Sequence, residues 1–298
     1  MSQGLRGGRI MAISVRPLTP VVGAEVEGID LSQPLDAETA AAVVAAFDRH
    51  ITLVFRGQDI TEAQQLAFAA HFGPLGIRRR PPKEYGAAGE TTRGHTMLVT
   101  NIRDAAETRA GSYGDGEMWF HHDSCYYEVP NRATFLYAME LPSRGGNTCV
   151  NNMYAACENI PDALRAKLEG RRVLQVHDYK RRERIDLDAI DLGKVLHRWQ
   201  PIFVRHPATG KRALYVNRLM SAAIEGMERA ESEDVLAQLF DIVEDPAIVY
   251  SHEWRLGDLL MWDNICSCHA RTDFPAEERR LLRRCTIEGV PIEAARAA

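Results

Sequence analysis

Cysteine is sparse in this chain, six residues in 298. None of Cys125, Cys149, Cys157, Cys266, Cys268 and Cys285 falls into the paired CxxC spacing of a thiolate zinc site, and nothing suggests a secreted disulfide framework. Cys266-x-Cys268 beside His269 lacks a second soft-ligand pair, so reduced, buried thiols in a cytoplasmic protein are the expectation. Positive charge is in deficit: a net charge of −5 and a pI near 6.1 argue against broad attraction to nucleic acid or anionic membrane. No run approaches the roughly 20 apolar residues that span a bilayer. Arg6 and Arg9 precede no apolar stretch, so the start of the chain does not read as a secretory signal. No internal repeat and no linker composition interrupts the chain.

What is present is an ordinary globular composition, 45% hydrophobic and 26% charged, with enough residues to build a core without a disulfide or metal staple. One domain is expected over residues 13–298, after a disordered extension at 1–12 that ends near Met11-Ala12. Asp36 and Thr61 are helix N-caps by type, the latter with Gln64 at capping-box spacing. Further helices are expected at Met153 to Glu158, Pro161 to Glu169 and Ser232 to Glu244. Strands are expected at 51–55, 133–138, 248–254, 259–262 and 281–288, and His206-Pro-Ala-Thr-Gly210 reads as the turn of a hairpin. Residues 74–116 lose periodicity and read as a lid-like loop holding an isolated strand at 97–101; residues 180–200 read as an exposed insertion. Many short strands with interspersed helices indicate a mainly β fold, a sandwich or barrel of the jelly-roll type decorated by helices.

The chemistry centres on Met118-Trp-Phe-His-His-Asp-Ser124. Residues two apart on a strand project from one face, so His121 and Asp123 can occupy adjacent positions on a metal ion. With His269 they make a two-His-one-carboxylate set, which leaves three positions open on ferrous iron. His122 competes with His121, but only His121 shares a strand face with Asp123. In Arg279-Arg-Leu-Leu-Arg-Arg284 the same rule puts Arg280, Leu282 and Arg284 on one side, a strand able to hold two carboxylates through guanidinium forks. An exposed basic strand edge is the alternative. Arg78-Arg79-Arg80 faces either an anionic substrate or solvent. Of Tyr126 and Tyr127, one is expected in the pocket, although a tyrosine packed in the core fits equally well.

Several further motifs occur in order: Gly23-Ala-Glu-Val26 with Gly28-Ile-Asp-Leu31, Leu53-Val-Phe-Arg-Gly-Gln58, Phe72-Gly-Pro-Leu75, Leu141-Pro-Ser143 with Gly145-Gly-Asn-Thr148, and Trp262-Asp-Asn264 ahead of His269. In these, over roughly residues 15–290, the chain resembles the ferrous iron and 2-oxoglutarate dependent dioxygenases of the taurine dioxygenase and 2,4-dichlorophenoxyacetate dioxygenase family. The resemblance implies a double-stranded β-helix (jelly roll) with flanking helices and a cofactor set of Fe(II), 2-oxoglutarate and O2. It implies His121, Asp123 and His269 as ligands, and Thr148 with Arg280 on the distal carboxylate of 2-oxoglutarate. Arg284, with Tyr126 and Arg78 beside it, is then expected on a small anionic substrate, a carboxylate, sulfonate, sulfate or aryloxyalkanoate. The reaction implied is hydroxylation with succinate and CO2 as co-products, by a homo-oligomer, dimer or tetramer. Asp123 favours hydroxylation over halogenation, which needs that site vacant. Three positions depart from the family pattern: Phe120 between Trp119 and His121, His122 where a small residue is usual, and Ile265 where arginine often follows Trp-Asp-Asn. A metal-dependent hydrolase using the same triad and a non-catalytic jelly-roll binding protein are the competing readings.

Overall fold

The computed structural model describes residues 13–77, 94–102, 118–177 and 186–296. The expected N-terminal extension, Arg78, most of the 74–116 loop and the start of the 180–200 insertion lie outside the described residues.

Local sequence sets the first elements. Strands β1 (Ser14–Pro17) and β2 (Ala24–Glu27) pair antiparallel. Helix α1 (Ala37–His50) starts where Asp36 accepts from the Thr39 amide at 2.7 Å. β3 (Thr52–Phe55) follows, then α2 (Glu62–Ala69), whose Thr61–Gln64 capping box is formed in full. The middle of the chain contributes β4 (Thr96–Thr100), β5 (Met118–His121), β6 (Asn131–Glu140), β7 (Thr148–Asn151), α3 (Met153–Glu158), α4 (Asp162–Leu168) and β8 (Arg172–His177). Next come β9 (Leu196–Pro201), the hairpin β10 (Phe203–Arg205) and β11 (Arg212–Leu214), then β12 (Ser221–Ile224) and α5 (Arg229–Val243). The chain closes with β13 (Val249–His252), β14 (Leu259–Asp263), β15 (His269–Arg271) and β16 (Leu281–Glu288).

Two sheets carry the architecture. A seven-stranded sheet runs β1-β2-β3-β14-β6-β16-β4, and a four-stranded sheet runs β13-β7-β15-β5. Period-two alternation on the large sheet is strict. Ala133, Phe135, Tyr137, Leu259 and Met261 pack with residues of α1 and α2. Their neighbours Leu136, Ala138, Leu260, Trp262 and Leu282 face the other way and meet Val150 of the small sheet. The fold is therefore mainly β with a jelly-roll core, helices covering one face of the large sheet and the small sheet covering the other. The end of the space between the sheets is where polar side chains replace apolar ones.

Two expectations change. The strand at 97–101 is not isolated: β4 is the edge of the large sheet, paired to β16 with Val99 opposite Leu282. Within 180–200 the structure has β9, paired to β8 along six residues. β9 lies at the edge of a three-stranded sheet, and most of its side chains are not buried. Without a buried face it carries no alternating apolar signal, which is why its Leu-His-Arg-Trp-Gln-Pro reads as loop.

The large sheet's outer face is closed by an aromatic cluster in which fully buried Phe135 meets Phe72 at 5.5 Å and Phe68 at 6.1 Å, edge to face. Phe135→Ala leaves a cavity lined by rings that cannot collapse onto it, and is expected to lower the unfolding free energy by about 3–5 kcal/mol. A urea titration showing a loss below about 1 kcal/mol would mean the cluster repacks.

Candidate active site

The triad forms where two strands of the small sheet pair. β15 lies antiparallel to β5 with His269 directly opposite His121, so the two imidazoles project from one face with ring centroids 4.1 Å apart. Asp123 arrives differently from expectation. β5 ends at His121, and Asp123 sits in the following turn, beside Ser124 at φ 63°. Thus the shared-face argument does not apply to Asp123, yet the turn brings its Oδ2 to 3.9 Å from His269 Nε2. One ligand atom from each of His121, Asp123 and His269 lies within 4.8 Å of the other two.

Electrostatics suit these groups to a cation. His121 Nδ1 lies 2.9 Å from the Trp119 carbonyl, which can only accept, so that nitrogen carries the proton and Nε2 keeps its lone pair. Burial pushes both imidazoles toward the neutral form, opposed only in part by Asp123. Burial alone would raise the Asp123 carboxyl, but Arg284, His269, His121 and the Thr134 hydroxyl outweigh it and hold the group well below the usual carboxylate range. Arg284 Nη2 stands 2.6 Å from Asp123 Oδ2. Two neutral imidazoles and one ionised carboxylate are a donor set for a first-row divalent metal, so the residues present fit the ion that the resemblance implies.

His122 does not join them. It is fully buried on the other side of the strand, its ring 4.1 Å from that of Tyr215, with Asn217 Nδ2 and Cys268 Sγ each 3.3 Å from its Nδ1. Burial, then His121, takes its pKa down to about 3.

Around the triad is a pocket that Thr148 and Arg280 also line. Arg280 precedes β16 rather than lying on it; its main chain is held by Asn101 and Thr100, and its Nη2 donates to the Gly146 carbonyl at 3.0 Å. A Cβ on Gly146, at φ 65°, would sit 3.0 Å from Arg280 Nε, so the glycine makes room for the guanidinium. Burial, then the neighbouring Arg271, lowers the Arg280 pKa to about 9. Thr148 Oγ1 accepts from Trp254 Nε1 at 3.2 Å, which leaves its own proton for another acceptor.

Val99, Met118, Leu136, Trp262 and Arg271 also line the pocket, and sequence reasoning missed them. Arg271 was within reach of the rule used for His121 and Asp123, since it stands two residues after His269 on one strand. The apolar wall was not, because it comes from β4, β5, β6 and β14. Tyr126 is a correction: it is buried and stacked on His177 with centroids 4.5 Å apart, in a different core cluster, and does not line the pocket. The turn that follows β5 carries Tyr126 into the core, the alternative that the sequence left open.

Among the described residues one other cluster has metal-ligand chemistry: His206, Asp263 and Cys266. Its hydrogen bonds exclude that role. The Thr209 amide donates to His206 Nδ1 at 3.1 Å, so Nε2 carries the proton and donates to Asp263 Oδ2 at 3.0 Å; a metal on Nε2 would require the imidazolate. The cluster is a bolt that ties the β10–β11 hairpin to the turn ahead of His269. None of the described helices is long and apolar enough to cross a membrane.

The family model described as taurine catabolism dioxygenase TauD, TfdA family matches residues 14–286. An alpha-ketoglutarate-dependent 2,4-dichlorophenoxyacetate dioxygenase of Cupriavidus pinatubonensis is 32% identical over 288 residues, covering 93% of this chain and 98% of that protein. Pentalenolactone F synthase of Streptomyces avermitilis is also 32% identical, over 297 residues, 91% of this chain and 93% of the synthase. The crystal structure of AAD-2 in complex with Mn(II) and N-oxalylglycine matches with a TM-score of 0.75 at 28% identity, covering 95% of this chain and all of that one.

The two adjacent histidines make opposite predictions. His121→Ala is expected to abolish binding of one Mn(II) per chain in a calorimetric titration, while His122→Ala lowers stability but keeps the stoichiometry. The reverse pattern would make His122 the ligand.

Proposed function

The chain belongs to the TauD, TfdA family and is a 2-oxoglutarate-dependent dioxygenase; from that premise we propose that it hydroxylates a small anionic organic molecule at a ferrous centre held by His121, Asp123 and His269. Ferrous iron bound there, with 2-oxoglutarate and O2, supplies the oxidation: one oxygen atom enters a substrate C–H bond, the other enters succinate, and CO2 leaves.

The chain's own residues bind and orient. Arg280 and Thr148, buried and with donors to spare, are assigned to the distal carboxylate of 2-oxoglutarate. A buried guanidinium is costly unless an anion meets it, and the charged group that acts on Arg280 is another arginine, Arg271. Arg284 donates from Nη2 to Asp123 Oδ2 and from Nη1 to Met97 Sδ, and its guanidinium is assigned to the acidic group of the primary substrate. Val99, Leu136, Met118 and Trp262 form the apolar side of the pocket, which keeps water from the reacting carbon and suits a hydrocarbon portion beside the acid. The two relatives of equal identity have different names as enzymes, so overall similarity does not choose among carboxylates, sulfonates, sulfates and aryloxyalkanoates. The six free cysteines fit a reducing compartment, the cytoplasm, and a homo-oligomer, dimer or tetramer, is the assembly the resemblance implies.

The observation that best supports this reading over a metal-dependent hydrolase is the presence of Arg280 and Thr148 in the same pocket as the triad, since activation of water on a metal needs no second anion site. The test is a panel of sulfonates, alkyl sulfates, aryloxyalkanoates and N-acyl amino acids, scored by O2 uptake and succinate release with Fe(II) and ascorbate. Hydrolysis without O2 uptake would overturn the proposal. Asp123→Ala is expected to abolish turnover. Arg280→Ala is expected to raise the KM for 2-oxoglutarate by roughly 30-fold or more, the loss of about 2 kcal/mol or more for an orphaned buried carboxylate; Arg284→Ala is expected to impair use of the primary substrate instead. An exchange of these two phenotypes would exchange the assignments.

A further inference from the structure

We infer that Trp262, Asn264 and Thr134 form a directed hydrogen-bond chain that positions the Asp123 carboxylate beside the two imidazoles by holding its Oδ2. The inference rests on the metal centre proposed above.

Each link has one permitted direction. The Trp262 indole Nε1–H can only donate, and it donates to Asn264 Oδ1 at 2.9 Å. This settles which way the Asn264 amide faces, so its Nδ2, a donor only, is the atom 3.0 Å from Thr134 Oγ1. With a lone pair of Thr134 engaged, the hydroxyl proton is turned to Asp123 Oδ2, 2.6 Å away. Arg284 Nη2 reaches that same oxygen at 2.6 Å. Both donors are on Oδ2, the carboxylate oxygen that also lies 3.9 Å from His269 Nε2, so together they fix how Asp123 faces the two imidazoles. A carboxylate held in this way keeps its place beside the imidazoles before a metal arrives, which one free to swing would not.

The chain is anchored at both ends. The Trp262 ring lies 4.4 Å from that of His269, so the indole that starts the chain also packs on another proposed ligand. Asn264 is held in a rigid turn: its amide donates to the Arg132 carbonyl at 2.7 Å, Asp263 Oδ1 accepts from the Ile265 amide at 2.8 Å, and Ser267 Oγ donates to the Asp263 carbonyl at 2.6 Å. Trp262, Asn264 and Thr134 are all nearly or fully buried, so water does not compete for the donors.

The test is Mn(II) affinity of the metal-free chain, measured by calorimetry without 2-oxoglutarate or turnover, together with the visible spectrum of the Co(II) form. Thr134→Val removes the donor at nearly constant volume and is expected to weaken Mn(II) binding roughly 10–100-fold and alter the Co(II) bands. Thr134→Ser restores the donor and is expected to stay within about 3-fold of the parent, a rescue that loss of packing would not show. Asn264→Ala, which leaves Thr134 in place, is expected to weaken binding as well, and the double variant to bind no more weakly than Thr134→Val alone, because one chain is broken only once. Where Thr134→Val does not fold, Asn264→Ala carries the same test. Parent-like affinity in Thr134→Val or Asn264→Ala, or losses that multiply in the double variant, would overturn the chain. A parent protein that binds no Mn(II), or binds it unaltered in His121→Ala, would overturn the metal centre itself.

Discussion

The register that sets His269 opposite His121 is the contact on which the rest of the site depends. These residues are separated by nearly half the sequence, and only strand pairing can hold two imidazoles at a fixed spacing from such distant origins. β15 is three residues long and is flanked by β5 and β7. Its pairing with β7 puts Arg271 opposite Thr148, so a single short strand aligns the proposed metal ligands on one side with the proposed co-substrate residues on the other. A one-residue slip would turn His269 away from the pocket.

The second requirement is to keep charged groups buried without letting them cancel the site. Asp123 shares the pocket with Arg284, Arg280 and Arg271. The pocket is thus rich in positive charge among its described residues, which suits 2-oxoglutarate and an acidic substrate and disfavours neutral or cationic ones. Arg283, next to Arg284, points to the opposite face of the large sheet, where it donates to Gln65 Oε1 and the Ile60 carbonyl. Alternation on β16 therefore divides adjacent arginines between the pocket and a contact that staples α2 to the sheet.

The Trp262-Asp263-Asn264 run shows how much work adjacent residues can divide. Trp262 packs on His269, Asp263 is bolted to His206, and Asn264 reaches Thr134. Ile265, where relatives often have arginine, is buried in the core beside α3 and the β10–β11 hairpin, and Arg132 of β6 approaches Asp263 Oδ2 at 3.6 Å. A cation near Asp263 thus comes from another strand in place of the residue two positions further along the chain.

Local sequence was sufficient wherever the determining contact is local or periodic. Asp36 and Thr61 cap the helices that follow them, because a cap is closed within three residues. β6 and β14 were legible as strands because both faces are buried by different partners, which leaves short, near-continuous apolar runs. The motif order was enough to identify the family resemblance, and with it the reaction class. Tertiary structure decided what depends on direction in space. It took Asp123 off the strand and into a turn, sent His122 to Tyr215 and Cys268, stacked Tyr126 on His177, and brought Arg271, Val99 and Leu136 into the pocket. The physical reason is that a period of two specifies which side chains share a face only while the strand lasts. Where β5 stops, and what lies across from each face, are settled by pairing and burial against residues more than a hundred positions away.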